Sequence, residues 1–184
     1  MKLNLTIGAL SVLMLTQPVF AKETFLEPDS NGFSEISFFQ IPEFHQVNPN
    51  IYRGGYPQNG DLVILLNQVI KTIINIDNDS ASAHNEQMNA ESLGIKYIFS
   101  PMSAFNVPSN EQVDSLLNNL QDPSLFPIFI HCKHGQDRTG VIVGLYRFHV
   151  DGWASHAAYD EMQKFGFHPI LKGLDSYYKK RTGY

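Results

Sequence analysis

Apolar and polar positions along this chain fall into short blocks that read in turn as strands and helices. Residues 72–76 are β-branched and apolar, and 127–131 form a second such run, which suits strands buried on both faces. Lys96–Phe99 reads as a further strand, and 51–57 as a strand end running into a turn. Glu35-Ile36-Ser37-Phe38 alternates as a half-buried edge strand does. Between these runs, 62–70 predicts an apolar helix with Asp61 as its N-cap, and 85–93 a helix stopped by Gly94. Ser109 with Gln112 three residues on is a capping-box pattern opening a helix to Leu120. A strongly apolar helix is expected over 139–150, followed by helical patterns at 153–165 and 169–180. Strands alternating with helices predict an α/β fold: a largely parallel sheet of about four or five strands, flanked by helices.

The chain's 184 residues suit one core of ordinary size. Its 43% hydrophobic and 17% charged composition excludes wholesale disorder. The formal charge of −5 argues against a nucleic-acid partner. A lone cysteine, Cys132, excludes an internal disulfide and any multi-cysteine metal site.

The amino terminus has a different character. After Lys2 the chain is largely apolar to Phe20, and Val19-Phe20-Ala21 resembles a signal-peptide cleavage site. Gln17-Pro18 breaks the run short of the roughly 20 clean apolar residues that a spanning helix needs. The expected organisation is a signal peptide over 1–21, an aromatic-rich extension packing on the domain over 22–50, and the domain itself over 51–184. The product is expected in the periplasm or outside the cell, with no stable membrane insertion.

The chemistry concentrates in His131-Cys132-Lys133-His134-Gly135-Gln136-Asp137-Arg138-Thr139-Gly140. This segment follows a buried strand and opens an apolar helix, the place where α/β folds bind ligands. About six backbone N–H groups can curl around one point there, reinforced by the positive end of the helix. Such a nest suits a tetrahedral oxyanion. Gly135 and Gly140 are read as permitting close approach and unusual dihedrals. Arg138 can form a bidentate pair with a phosphate. The field that holds phosphate also favours the thiolate form of a cysteine at the same point. With this composition, Gly, Arg and Ser/Thr at three, six and seven residues after the cysteine arise by chance in about 1 case in 6,000.

His-Cys-x5-Arg-Thr-Gly resembles the signature loop of the cysteine-dependent protein tyrosine phosphatase superfamily. The stretch from Ile51 to about Lys180 is similar in layout to its dual-specificity branch. It most resembles the compact atypical phosphatases of plants, fungi and bacteria, through Tyr52-Arg53-Gly54-Gly55-Tyr56-Pro57 and the 72–76 strand. The resemblance implies a tyrosine phosphatase-like fold with no metal or cofactor. Cys132 would be the nucleophile that becomes a phosphocysteine, Arg138 the phosphoryl clamp, and Thr139 the hydroxyl that stabilises the leaving thiolate. His131 would order the loop. Lys133, His134, Gly135, Gln136 and Gly140 complete the expected substrate-binding loop. The period of a strand agrees, since adjacent residues at its end point to opposite faces.

One element departs from the family. The upstream loop that usually carries an aspartate general acid corresponds here to 100–108, which contains no Asp or Glu. Asp137 is the first candidate to replace it, against a role bracing loop amides or pairing with Arg53. Asp77 and Asp79 come second, each more simply read as part of a solvated turn, and His134 third. The cations Lys133 and His134 resemble the basic loops of relatives that hydrolyse inositol phosphates. Lys172, Lys179, Lys180 and Arg181 are candidates for a second basic rim or a solvated helix face. Phe105 and Met102 suit either an aromatic substrate ring or the core. Trp153 and Tyr159 read as core, Tyr177-Tyr178 as a pair open to solvent, and Gly144 as a packing glycine. His45, His84, His149, His156 and His168 share no metal-ligand spacing.

The expected substrates are a phosphorylated small molecule, a lipid head group or a phosphoprotein, hydrolysed through phosphocysteine. The alternative is a phospho-ligand binding module without turnover. An exported thiolate with no second cysteine would also be sensitive to peroxide.

Overall fold

The computed structural model describes residues 41–184; the expected signal peptide, most of the aromatic-rich extension and the predicted 35–38 strand lie outside them. The described residues form one five-stranded sheet with helices on both faces. In chain order come β1 (His45–Asn48), β2 (Ile51–Gly54), α1 (Asn59–Asn67), β3 (Thr72–Asn75), α2 (Ser80–Ser92) and β4 (Lys96–Phe99). Then follow α3 (Asn110–Asn119), β5 (Ile128–His131), α4 (Asp137–His149), α5 (Ser155–Lys164) and α6 (Lys172–Thr182). The strand order is β1-β2-β5-β3-β4. Only β1 runs antiparallel, against β2. One edge strand of the described sheet therefore comes from 45–48, immediately before the predicted domain start, and β4 forms the other edge.

The register decides where chemistry can happen. Gly54, His131 and Asn75 are cross-strand partners at the ends of β2, β5 and β3, and Phe99 ends β4 beside Asn75. The segments after these four strands consequently leave the sheet along one edge, the ligand edge of a parallel sheet.

Two apolar layers cover the faces. Ile74, Ile128, Ile130 and Cys132 belong to the layer shared with Val113, Leu116, Val141, Leu145 and Met162 of the helices α3 to α5. Ile73 and Phe129 face the opposite way, onto Leu62, Leu65 and Ala90 of α1 and α2. The period of two along β5 thus sends Cys132 and His131 to opposite sides. Helix α4 is buried from Arg138 through Tyr146, as a helix apolar on every side must be. Its Gly144 lets α5 in close: a Cβ there would lie 2.5 Å from the Met162 sulfur.

Several expectations are corrected. Asp61 is not the N-cap of α1; it stands three residues after Gln58, whose backbone N–H it accepts at 2.8 Å. Helix α2 begins five residues before the apolar pattern does. Asp79 caps it by accepting the N–H groups of Ala81 and Ser82, both at 3.1 Å, and its first turn is too polar to show a period. Ser109 caps α3 as expected, but Gln112 turns its side chain to the Pro101 carbonyl, 2.7 Å away. Trp153 is 38% exposed and lies against Arg147 rather than in the core. Tyr177 and Tyr178 are both buried.

Candidate active site

The loop from Cys132 to Gln136 sits at the sheet's ligand edge, between β5 and the first turn of α4. Gly135 makes its shape possible. Its φ is +77°, and a Cβ there would stand 2.4 Å from the Gly54 carbonyl carbon and 2.6 Å from the Gly55 nitrogen. The loop therefore rests directly on the main chain at the end of β2, which explains the paired glycines of the 52–57 motif. Gly140 has no such duty: it is helical, and a Cβ would meet nothing closer than 3.9 Å.

The loop's carbonyls are held from outside. Tyr56 N–H donates to the Lys133 carbonyl at 3.1 Å, and Arg53 Nη2 to the Gly135 carbonyl at 2.8 Å. Among the described residues, the amides of Lys133, His134, Gly135 and Gln136 donate to no protein group. Spent carbonyls and unspent amides are the composition of an anion nest.

Arg53 is almost wholly buried and packs its guanidinium on the Phe165 ring, 4.9 Å from its centre. Burial lowers its pKa to about 10, against the opposing attraction of Glu161, Cys132 and Glu43. It is a cation placed under the loop, and it does not pair with Asp137.

Arg138 is buried and braced from two strand ends. Its Nη1 donates to Asp77 Oδ1 and Asn78 Oδ1, each at 2.8 Å, and to the Met102 carbonyl at 3.3 Å. Asp77 is therefore an ion-pair partner, 5% exposed, and not part of a solvated turn. Asp79 stays exposed, and hydrogen bonds from Ser82 hold its carboxyl below the usual range.

Beneath the loop lies a buried polar group that the sequence reading missed. Glu86 Oε2 accepts from Asn75 Nδ2 and from Tyr97 Oη, both at 2.7 Å. Its Oε1 lies 2.9 Å from His131 Nε2, an off-axis contact between two fully buried side chains. The other ring nitrogen of His131 is 3.3 Å from the Cys132 carbonyl. His131 thus ties Glu86 to the first residue of the loop. Burial, then the Glu86 charge, push the Tyr97 hydroxyl well above its ordinary pKa. A signal existed: Glu86 shares the buried face of α2 with Ala83 and Ala90, at helical spacing.

A cleft of about 460 Å³ opens above Cys132. Lys133, His134, Asp137 and Arg138 line it from the loop and the start of α4, together with Asn78, Phe105, His168 and Ile170. Phe105 and Ile170 are each 80% exposed, whereas Met102 is core. Asp137 braces neither loop amides nor Arg53. Its Oδ1 accepts the His168 backbone N–H at 2.8 Å and lies 3.0 Å from His168 Nδ1. Gln136 lies against Gly166, which has φ +82° and where a Cβ would press on the Gln136 side chain at 2.8 Å. Thr139 is fully buried, and its hydroxyl has no hydrogen-bond partner among the described residues. Of the distant cations, Lys179 pairs with Asp175 and Arg181 with Asp114, so neither forms a free second rim.

Comparison with known proteins agrees with this geometry. The sequence model of the tyrosine phosphatase family matches residues 39–176. The dual specificity protein phosphatase TpbA of Pseudomonas aeruginosa strain UCBPP-PA14 is 30% identical over 161 residues, covering 87% of this chain and 70% of TpbA. Its crystal structure superposes with a TM-score of 0.65 at 26% identity, over 76% of this chain and 84% of that one. A cysteine-to-serine TpbA variant has been crystallised with phosphotyrosine. The inositol diphosphatase DSP2 of Oryza sativa subsp. japonica is 31% identical over 127 residues, 66% of this chain and 61% of that protein. The catalytic core of the PP-IP phosphatase SIW14 from S. cerevisiae, crystallised with citrate, superposes at 0.63 with 26% identity, over 74% and 87% of the two chains. The chain belongs to the tyrosine phosphatase family, as a cysteine-dependent phosphatase.

Proposed function

We propose that this phosphatase acts on phosphotyrosine-type aryl phosphates. The observation that carries the substrate class is the pair of exposed apolar side chains, Phe105 and Ile170, that line the cleft over Cys132. A phenyl ring packs against them with its phosphate directed at the loop, and burying such a ring is worth several kcal/mol of apolar area (about 25 cal/mol per Å²). Cys132 attacks phosphorus, and the P–O bond to the leaving group breaks. The nest amides and Arg138 hold the three equatorial oxygens. Thr139 offers its otherwise unused hydroxyl to the sulfur when water displaces it.

A second reading rests on Lys133 and His134. Both are exposed, and both also line a neighbouring cleft of about 590 Å³ with Tyr56, Gln58 and Asp79. A lysine and an imidazole lining both clefts suit a ring carrying several phosphates, as in inositol phosphates.

Phosphate release from a phosphotyrosine peptide, inositol hexakisphosphate and phosphoinositide vesicles decides between the two. The first reading expects the highest kcat/KM on the peptide and a specific loss there in Phe105→Ala. Preference for an inositol phosphate, with Lys133→Ala losing it, would replace the first reading by the second.

We also propose that the enzyme is exported, which the leader over 1–21 supports; among the described residues no helix is long and apolar enough to cross a membrane. Amino-terminal sequencing of the mature protein tests this: a first residue of Lys22 agrees, and retained Met1 contradicts it.

A further inference from the structure

We infer that His168 supplies the proton to the leaving oxygen, with Asp137 as its positioning residue; this rests on the phosphocysteine reading above. The 100–108 loop offers no acid. Asp77 is committed to Arg138. Asp79 caps α2 and lines the neighbouring cleft, not the one above Cys132. Asp137 does line the Cys132 cleft, but its Oδ1 is taken up twice by His168, through the backbone N–H and through Nδ1. A carboxylate at Nδ1 makes that nitrogen the donor toward Asp137 and fixes the ring with Nε2 as the remaining proton site. The same arrangement orients the histidine of a serine hydrolase.

The position is built, not incidental. His168 belongs to the connection between α5 and α6. Just before it, Gly166 lies on Gln136 and Phe167 is buried in the core. The His168 backbone is then bonded to the first turn of α4. Its ring is 57% exposed and stands on the cleft wall beside Ile170.

The step balances without any further reagent. The Cys132 thiolate forms the S–P bond as the P–O bond breaks, and the departing oxygen takes the proton from Nε2 of the His168 imidazolium. In the second half, water gives its proton to the neutral Nε2 while its oxygen bonds phosphorus. The S–P bond breaks, returning the thiolate and the imidazolium.

Leaving-group dependence tests the assignment, because a structural role does not discriminate between leaving groups. Wild type, His168→Gln, Asp137→Asn and Cys132→Ser are assayed on phenyl phosphate, whose phenol needs a proton, and on 2,4-dinitrophenyl phosphate, whose phenol does not. His168→Gln keeps the backbone bond to Asp137. It is expected to lose about 10²-fold or more in kcat/KM on phenyl phosphate and less than about 3-fold on the dinitrophenyl ester. Asp137→Asn is expected to show the same pattern at about 10-fold. Equal losses on both esters, or none, in His168→Gln would overturn the inference. A large selective loss confined to Asp137→Asn would make Asp137 the donor and overturn it too. Should Asp137→Asn fail to fold, His168→Gln alone decides. Turnover surviving in Cys132→Ser would instead refute the underlying phosphocysteine reading, whatever His168 does.

Discussion

Replacing Glu86 by Ala removes a buried carboxylate under the phosphate loop and leaves the donors of Asn75, Tyr97 and His131 around its place. Asn75 and Tyr97 partly satisfy each other, since Asn75 Nδ2 also donates to Tyr97 Oη at 2.8 Å. His131 keeps only its 3.3 Å contact with the Cys132 carbonyl. Hydrogen bonds to a charged group contribute about 1.5–3 kcal/mol each. Glu86 accepts two, from Asn75 and Tyr97, and because those two side chains retain each other the loss is about 3–5 kcal/mol. For a domain of this size each kcal/mol shifts Tm by roughly 2–4 °C, so the melt should fall by about 6–20 °C. Tyr97→Phe, which deletes one hydroxyl and leaves the carboxylate in place, should lose about 1.5–3 kcal/mol, the smaller of the two effects. Urea unfolding of wild type and both variants, with unchanged m-values, gives these differences directly. A Glu86→Ala protein within about 1 kcal/mol of wild type would refute the claim that this network holds the loop from below.

Gly135→Ala places a non-glycine residue at positive φ, about 1–2 kcal/mol on that account alone, and drives its Cβ into the Gly54–Gly55 backbone. A lower urea midpoint together with lost turnover is expected, and wild-type values for both would contradict the packing described. Arg138→Lys gives up the planar fork while keeping a charge, so kcat/KM should drop by at least about 10²-fold with the far-ultraviolet spectrum unchanged. High pH should destabilise the protein. Burial pushes Tyr178 up to about 12, and Tyr97 and Tyr159 rise further, whereas an unfolded tyrosine ionises near 10. The folded state therefore binds more protons above about pH 10, so stability present below that pH is lost as pH rises through the folded values. Arg53, depressed to about 10, works in the opposite sense over the same range, but it is one group against three. A Tm that holds to about pH 9 and falls beyond pH 10 is expected; a flat Tm to pH 11 would count against the buried tyrosines.

Most of the framework was legible because it rests on local rules. The 72–76 and 127–131 runs had to be buried strands, and the Cys132 loop had to sit between a strand and a helix, since the apolar pattern changes period there. The cysteine and arginine were legible because one spacing fixes them both. What stayed hidden depends on residues distant in sequence. Arg53 meets Gly135 across 82 residues and Asp77 meets Arg138 across 61, distances that only the strand register closes. His168 lies in a connector with no periodicity, so nothing local marks it as a neighbour of Asp137. The start of α2 was missed for a different reason: a capping aspartate, not an apolar stripe, begins it.

The central claim is that phosphate passes through the Cys132 sulfur. The direct measurement is an acid quench of the enzyme during turnover of p-nitrophenyl phosphate, followed by peptide mass analysis. The account predicts a phosphoryl group on the Cys132 peptide in the wild type, and no phosphate release from Cys132→Ser. Phosphate release by Cys132→Ser at the wild-type rate, with the Cys132 peptide unmodified in the wild type, would contradict it.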